Sequence, residues 1–242
     1  GTFICPGGKE KCDRKCEIRI IEIDGKRFPF GGACNKYENV LRHANIDSTK
    51  YNFVKNREKY IFHLEREVKG AKTIGLSRSL AMNNLFPLFY TFLTELGFDV
   101  VVPEKSDRRG WEMMNSEFCF PVELSHGYMY DLISKNPDLI FVPRLRGIKV
   151  ENSENYNVFC PFVQSEVDWL TSAFPEMEEK LVTGYFDFSR GDEKEEFLRV
   201  AERLGRSREE GERAFEKAWK AFNERFSLIK KQWNEFLKIL DE

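Results

Sequence analysis

"KTIGLSRSLAMNNLFPLFYTFLTELGFDVVVP", residues 72–103, decides the fold of this chain. "KTIGLS" reads as a short strand running into a Gly–Ser turn. "NNLFPLFYTFLTELG" (83–97) then carries apolar residues at helical spacing and stops at Gly97. "FDVVVP" (98–103) is a buried strand ended by Pro103. Downstream the alternation continues. "DRRGWEMM" (107–114) and "PVELSHGYMYDLISKN" (121–136) read as helices, and "DLIFVPR" (138–144) as a third strand. "SEVDWLTSAF" (165–174) is another helix, and "LVTGYFDFS" (181–189) a fourth strand. Strands alternating with helices imply an α/β fold, a Rossmann-like parallel sheet of about four strands with flanking helices.

Composition agrees with a packed domain and removes several functions. A hydrophobic content of 41% with 22 Phe supplies a core, which excludes a wholly disordered chain. The 38 Lys and Arg nearly balance 40 Asp and Glu, so no bulk charge attracts nucleic acid or an anionic membrane. The longest apolar runs, such as "LFPLFYTFL" (85–93), are too short to span a bilayer. The opening "GTFICPGGKEKC" lacks both a signal-peptide pattern and an initiator Met, as an excised or processed piece of a longer protein would. Six cysteines without a secretion signal point to a reducing, cytoplasmic setting, where cysteine clusters bind metal more often than they pair.

Four regions separate along the chain: a cysteine-bearing module (1–36), an adaptor with a charged helix (37–70), the Rossmann-like domain (71–190) and C-terminal helices (191–242). In the first, "EIRIIEIDGKRFPFGG" (17–32) alternates, turns at Asp24–Gly25 and returns, as a β-hairpin does. In the last, Ser207 and Glu210 form an S-x-x-E capping box. Beyond them Phe215, Ala218, Phe222, Phe226, Ile229, Trp233, Phe236 and Leu240 step by three or four along one long helix. That stripe packs on the domain, or faces a further domain or a second chain in a homodimer.

Cys5, Cys12, Cys16 and Cys34 are spaced C-x6-C-x3-C-x17-C around the hairpin. Such a scaffold can bring four thiolates to the corners of a tetrahedron, which suits structural zinc. An iron–sulfur cluster, disulfides and free thiols remain alternatives. A metal staple makes physical sense in a module with so few apolar residues.

Cys119 ("FCFPVEL") and Cys160 ("FCPFVQS") stand apart from the other four, each just before a proline and a helix. A thiol at a helix N-terminus feels the positive end of the dipole, which favours thiolate. Loops after successive parallel strands gather at one carboxyl edge, so the two cysteines can meet there. Alternatively, each is a small buried hydrophobe. "TIGLSRSL" (73–80) places Ser77 and Arg78 at the same edge, available to a phosphate or carboxylate, and Arg144 ends the third strand as a further anion-binding candidate. His126 in "ELSHGY" is a candidate proton donor near Cys119, or else a structural histidine. A single Gly75 fails the dinucleotide-loop pattern, and no G-x4-G-K-[ST] occurs.

Together, "IGLSRSLAMNNLFPLFYTFLTELGFDVVVPEKS", "SEFCFPVELSHGYMYDLI", "DLIFVPRL" and "VFCPFVQSEVDWL" resemble the 2-hydroxyacyl-CoA dehydratase activase-related family. The resemblance runs from Cys12 to the final helix. It implies that Cys119 and Cys160 ligate an iron–sulfur cluster and that His126 matches the first histidine of an H-G-H motif. Ser77 stands where proline is usual, Tyr128 replaces the second histidine, and Arg144 occupies a place where one branch has another cysteine. Two cysteines fall short of the four, or three with an open site, that a cubane takes, so completion would come from outside the chain. The resemblance also implies an activator ATPase domain upstream and a second Rossmann-like domain downstream. ATP hydrolysis there drives an electron onto a low-potential cluster, and the piece alone would perform none of that cycle.

Three functions compete at this point. One is a redox component accepting electrons from the ATPase for dehydratase-type chemistry. Another is a non-enzymatic docking or scaffold domain with structural zinc, and the third an acyl-CoA site at the Ser77–Arg78 loop.

Overall fold

Two glycine-rich turns and one proline-poor alternating run organise the start of the chain. The computed structural model describes residues 1–7, 12–37, 52–64, 71–115, 119–150 and 157–241, so most of the adaptor lies outside the described residues. Strand β1 (Thr2–Ile4) pairs antiparallel with β2 (Glu17–Ile23), which pairs antiparallel with β3 (Lys26–Phe30). Asp24 and Gly25 both take positive φ, 51° and 74°, as a two-residue type I′ hairpin turn requires. The hairpin thus forms where the sequence places it, with β1 as an additional edge strand. Residues Gly1–Asn52 make one compact unit and Phe53–Glu242 a second.

The second unit begins with helix α1 (Phe53–Phe62), followed by β4 (Thr73–Leu76), α2 (Met82–Glu95), β5 (Asp99–Val101) and the short α3 (Arg108–Trp111). Next come α4 (Phe120–Ser134), β6 (Leu139–Phe141), β7 (Arg144–Ile148), α5 (Pro161–Gln164) and α6 (Glu166–Ala173). A 3-10 segment (Pro175–Lys180) leads to β8 (Leu181–Val182), β9 (Tyr185–Phe188), α7 (Glu193–Arg203) and α8 (Arg208–Asp241). Strands β5-β4-β6-β8 form a four-stranded parallel sheet in that order. The chain steps from β4 to β5 on one side and returns to β6 on the other, which leaves a crevice outside the carboxyl ends of β4 and β6.

Local chemistry explains the elements. Helix α2 ends on a Schellman motif: Gly97 at φ 84° lets Phe98 N–H reach the Leu93 carbonyl at 3.1 Å and Gly97 N–H the Thr94 carbonyl at 3.0 Å. Pro87 inside α2 has no N–H for the Asn83 carbonyl, and Arg57 of α1 donates to that carbonyl instead, at 2.8 Å. Two stretches read as single strands are each divided. Residues 138–144 break at Pro143, which cannot donate to a ladder, and 181–189 break at Thr183–Gly184. The far halves, β7 and β9, form their own parallel pair. Gly184 is required there, because a Cβ would stand 2.6 Å from Val200 Cγ2 of α7.

Both faces of the main sheet are covered. One core gathers Leu76, Phe86, Phe89, Phe92, Phe141 and Phe197 from the sheet and from α2 and α7. The other gathers Met129, Leu132, Ile140, Val167 and Leu170 between the sheet, α4 and α6. The capping box closes as predicted: Glu210 Oε2 accepts from Ser207 N–H at 2.8 Å, and Ser207 Oγ from Glu210 N–H at 3.2 Å. The α8 stripe packs on the domain at its start, with Phe215 and Ala218 buried and Phe222 and Ile229 partly covered. Further along, Trp233 and Phe236 meet Phe53 of α1, while Phe226 is 58% exposed. The side chain of Leu240 lies outside the described residues. Among the described residues, no helix is long and apolar enough to cross a membrane.

Candidate functional site

At the carboxyl end of β4 the structure joins Ser77 to Ser79, Ser125 and Glu166, while the other candidates lie in separate settings. The strand end of β4 delivers Ser77, Arg78 and Ser79, and α4 delivers Ser125 and His126. The start of α6 delivers Glu166, whose carboxyl is fully enclosed. Ser77 Oγ lies 2.9 Å from Ser79 Oγ, which lies 2.8 Å from Ser125 Oγ. Both Ser79 (3.1 Å) and Ser125 (2.9 Å) reach Glu166 Oε1. Burial pushes the Glu166 carboxyl up to about 7, and the two serine hydroxyls only partly offset it.

Proton counting favours the neutral acid. Ser79, Ser125 and Oε1 form a triangle of three contacts, while the two hydroxyls hold only two protons. A protonated carboxyl supplies the third and closes a ring in which each group donates once. Sequence reading missed Glu166. Its two serine partners lie 87 and 41 residues away in the chain, so only tertiary packing reveals the network.

His126 is buried in α4. Its Nδ1 lies 2.9 Å from the Val122 carbonyl, so that nitrogen carries the proton and Nε2 is left as acceptor. Burial holds its pKa below the ordinary imidazole value, and the ring stacks on Trp169 at 4.7 Å. With Val122, Phe162, Ser165 and Trp169 it lines a cavity of about 260 Å³.

Cys119 is the N-cap residue of α4 and Cys160 that of α5, and both are exposed. Neither is therefore a buried hydrophobe. They differ in setting: α4 has fifteen residues, whereas α5 is a single turn of four. Val122 follows Cys119 by one turn and Phe162 follows Cys160 by two residues, so the chain just past each cysteine walls the His126 cavity.

The arginines are already engaged. Arg78 is paired with Glu58 at 2.7 Å and lies over the Phe62 ring, 4.4 Å from its centroid. It lines a separate cavity of about 480 Å³ with Arg57, Ser79, Asn83 and Tyr128. Arg144 makes a two-pronged pair with Asp168 at 2.7 and 2.5 Å, which raises the Arg144 pKa and lowers that of Asp168.

In the first unit, Cys5 follows β1, Cys12 and Cys16 precede β2, and Cys34 follows β3. All six cysteines are free thiols. Among the described residues, no three His, Cys, Asp or Glu side chains already stand at metal-coordinating separation.

The sequence profile of a family described as "CoA enzyme activase uncharacterised domain" matches residues 73–242. No curated protein and no solved structure gives a significant match to the chain.

Proposed function

The chain belongs to the family described as CoA enzyme activase uncharacterised domain, matched over residues 73–242, and from that premise we propose that it contributes cysteine ligands to an iron–sulfur cluster. In this reading the cluster receives low-potential electrons from an activator ATPase and serves dehydratase-type chemistry on 2-hydroxyacyl-CoA substrates. The observation that carries it is the placement of Cys119 and Cys160. They are exposed thiols, and the chain following each of them walls one cavity at the carboxyl edge of a parallel sheet.

Fit to the cofactor is partial. Thiolate is the ligand such clusters take, and both Cys119 and Cys160 are exposed, open to a cluster. Two thiols supply half of a four-cysteine set, so the remaining ligands come from a partner domain or a second chain. When bound, the cluster would supply the one-electron chemistry. Neutral His126, held by Val122 and Trp169, would wall its cavity and present Nε2 as a proton acceptor.

Anaerobic reconstitution of the full chain with iron and sulfide tests the reading. Expected are a brown protein and bound iron that Cys119→Ser and Cys160→Ser each remove, while Cys12→Ser leaves it. Colourless wild-type protein, or iron retained in the Cys119→Ser/Cys160→Ser double variant, would overturn it.

A further inference from the structure

The first unit has almost nothing apolar inside it. Among its described residues, Ile18 is the one buried hydrophobic side chain, whereas Ile4, Ile21, Ile23 and Phe30 are exposed. A unit of this size that cannot bury a core needs a covalent or metal staple.

What it encloses instead is a cavity of about 430 Å³ lined by Cys5, Cys12, Cys16 and Cys34. Backbone contacts tie Cys5 to Cys16 and Gly7 to Cys12, and Cys34 shares the cavity, though no three of these side chains yet stand at metal-coordinating separation. Cys5 N–H donates to the Cys16 carbonyl at 2.8 Å. Gly7, at φ 88°, passes so close to Cys12 that a Cβ would stand 2.8 Å from its carbonyl oxygen. Gly32, two residues before Cys34, takes φ 99° against the Cys16 Cβ.

The surroundings suit thiolate. Lys36 Nζ stands 3.9 Å from Cys5 Sγ and also bonds the Gly7 carbonyl. Arg14 and Lys15 line the same cavity. Four thiolates around a divalent ion carry a net charge of −2, which these three cations offset.

We propose that Cys5, Cys12, Cys16 and Cys34 bind one structural Zn²⁺ that holds the first unit together. Four S–H protons leave to solvent as four S–Zn bonds form, and no electron moves. The closed four-thiolate set leaves no open position for chemistry, so the role is structural. The proposal is independent of the reading of Cys119 and Cys160.

The test uses the full chain purified under reducing conditions. Elemental analysis should give about one zinc per chain, lost in Cys12→Ser and in Cys34→Ser but kept in Cys119→Ser. Because a serine variant can lose its metal through misfolding alone, wild-type protein is also titrated with Co²⁺, which should show the absorption of a tetrahedral tetrathiolate site. Chelator should then abolish amide-exchange protection in residues 1–52 and leave that of 53–242 unchanged. Iron in place of zinc, a cobalt spectrum of fewer than four thiolates, or protection of 1–52 that survives chelation would each overturn the proposal.

Discussion

The two units of this chain solve the same problem by opposite means. In residues 53–242 the sheet is covered on both faces, and aromatic rings close on one another. Phe197 meets Phe89 at 5.4 Å, Phe92 at 4.8 Å, Phe186 at 4.7 Å and Phe215 at 5.0 Å, centroid to centroid. In residues 1–52, "EIRIIEI" alternates just as a strand should, yet only Ile18 is buried. Periodicity therefore fixes the strand in both units, but burial requires a second layer, and among the described residues only the larger unit shows one. The larger unit's stability is hydrophobic, whereas the zinc staple proposed above would supply that of the smaller.

The largest expected effect probes that contrast directly. Phe197→Ala removes a ring enclosed by four others and should destabilise the second unit by about 3–5 kcal/mol in urea unfolding. Ile23→Ala, at a side chain 56% exposed, should change the first unit by less than about 0.5 kcal/mol. Comparable costs at the two positions would erase the distinction.

A second test lies inside the large unit, at Glu166, the most deeply buried acid among its described residues. The Glu166 carboxyl is raised from 4.5 to about 7 in the folded state. A raised pKa means that the fold holds the proton more tightly than the unfolded chain does. The associated stability is complete below the unfolded value of 4.5 and is lost as pH rises through about 7. The loss amounts to about 3 kcal/mol. Glu166→Gln should flatten this stretch of the pH–stability curve, measured by unfolding at closely spaced pH values. A wild-type curve already flat between those limits would show that the acid is not kept neutral.

Much of this architecture is legible in the sequence because its signals are local. Gly97 and Pro103 punctuate the strand–helix–strand unit, Asp24–Gly25 specifies a hairpin turn, and the prolines after Cys119 and Cys160 announce helix starts. Where a local signal competes with tertiary context, boundaries slip. Pro143 was in plain view, yet the strand resumes beyond it because Gly184 lets a second ladder form between β7 and β9. The candidate site was legible only in part. Ser77 follows a recognisable strand, Cys119 starts a recognisable helix and His126 lies within that helix, but the Ser79–Ser125–Glu166 ring joins three elements that no periodicity connects. The same holds for Arg144, whose carboxylate partner Asp168 lies 24 residues further on.

The smallest effect separates what local sequence contributes from what packing contributes. Ser207→Ala deletes one arm of the capping box, leaving the Glu210 N–H without its side-chain acceptor, and should cost the second unit about 1 kcal/mol. Ser207→Asp, which can accept the same bond, should restore most of that. Helix α8 is also held by its packing on α2 and α7, where Gly211 approaches Ala201 so closely that a Cβ would stand 2.8 Å from its side chain. If Ser207→Ala costs nothing, those contacts alone fix where α8 begins, and the motif, though formed, adds no stability. A cost near the expected value, with no change in the first unit, means that even in the well-packed half of the molecule a two-residue signal contributes measurably beside the core.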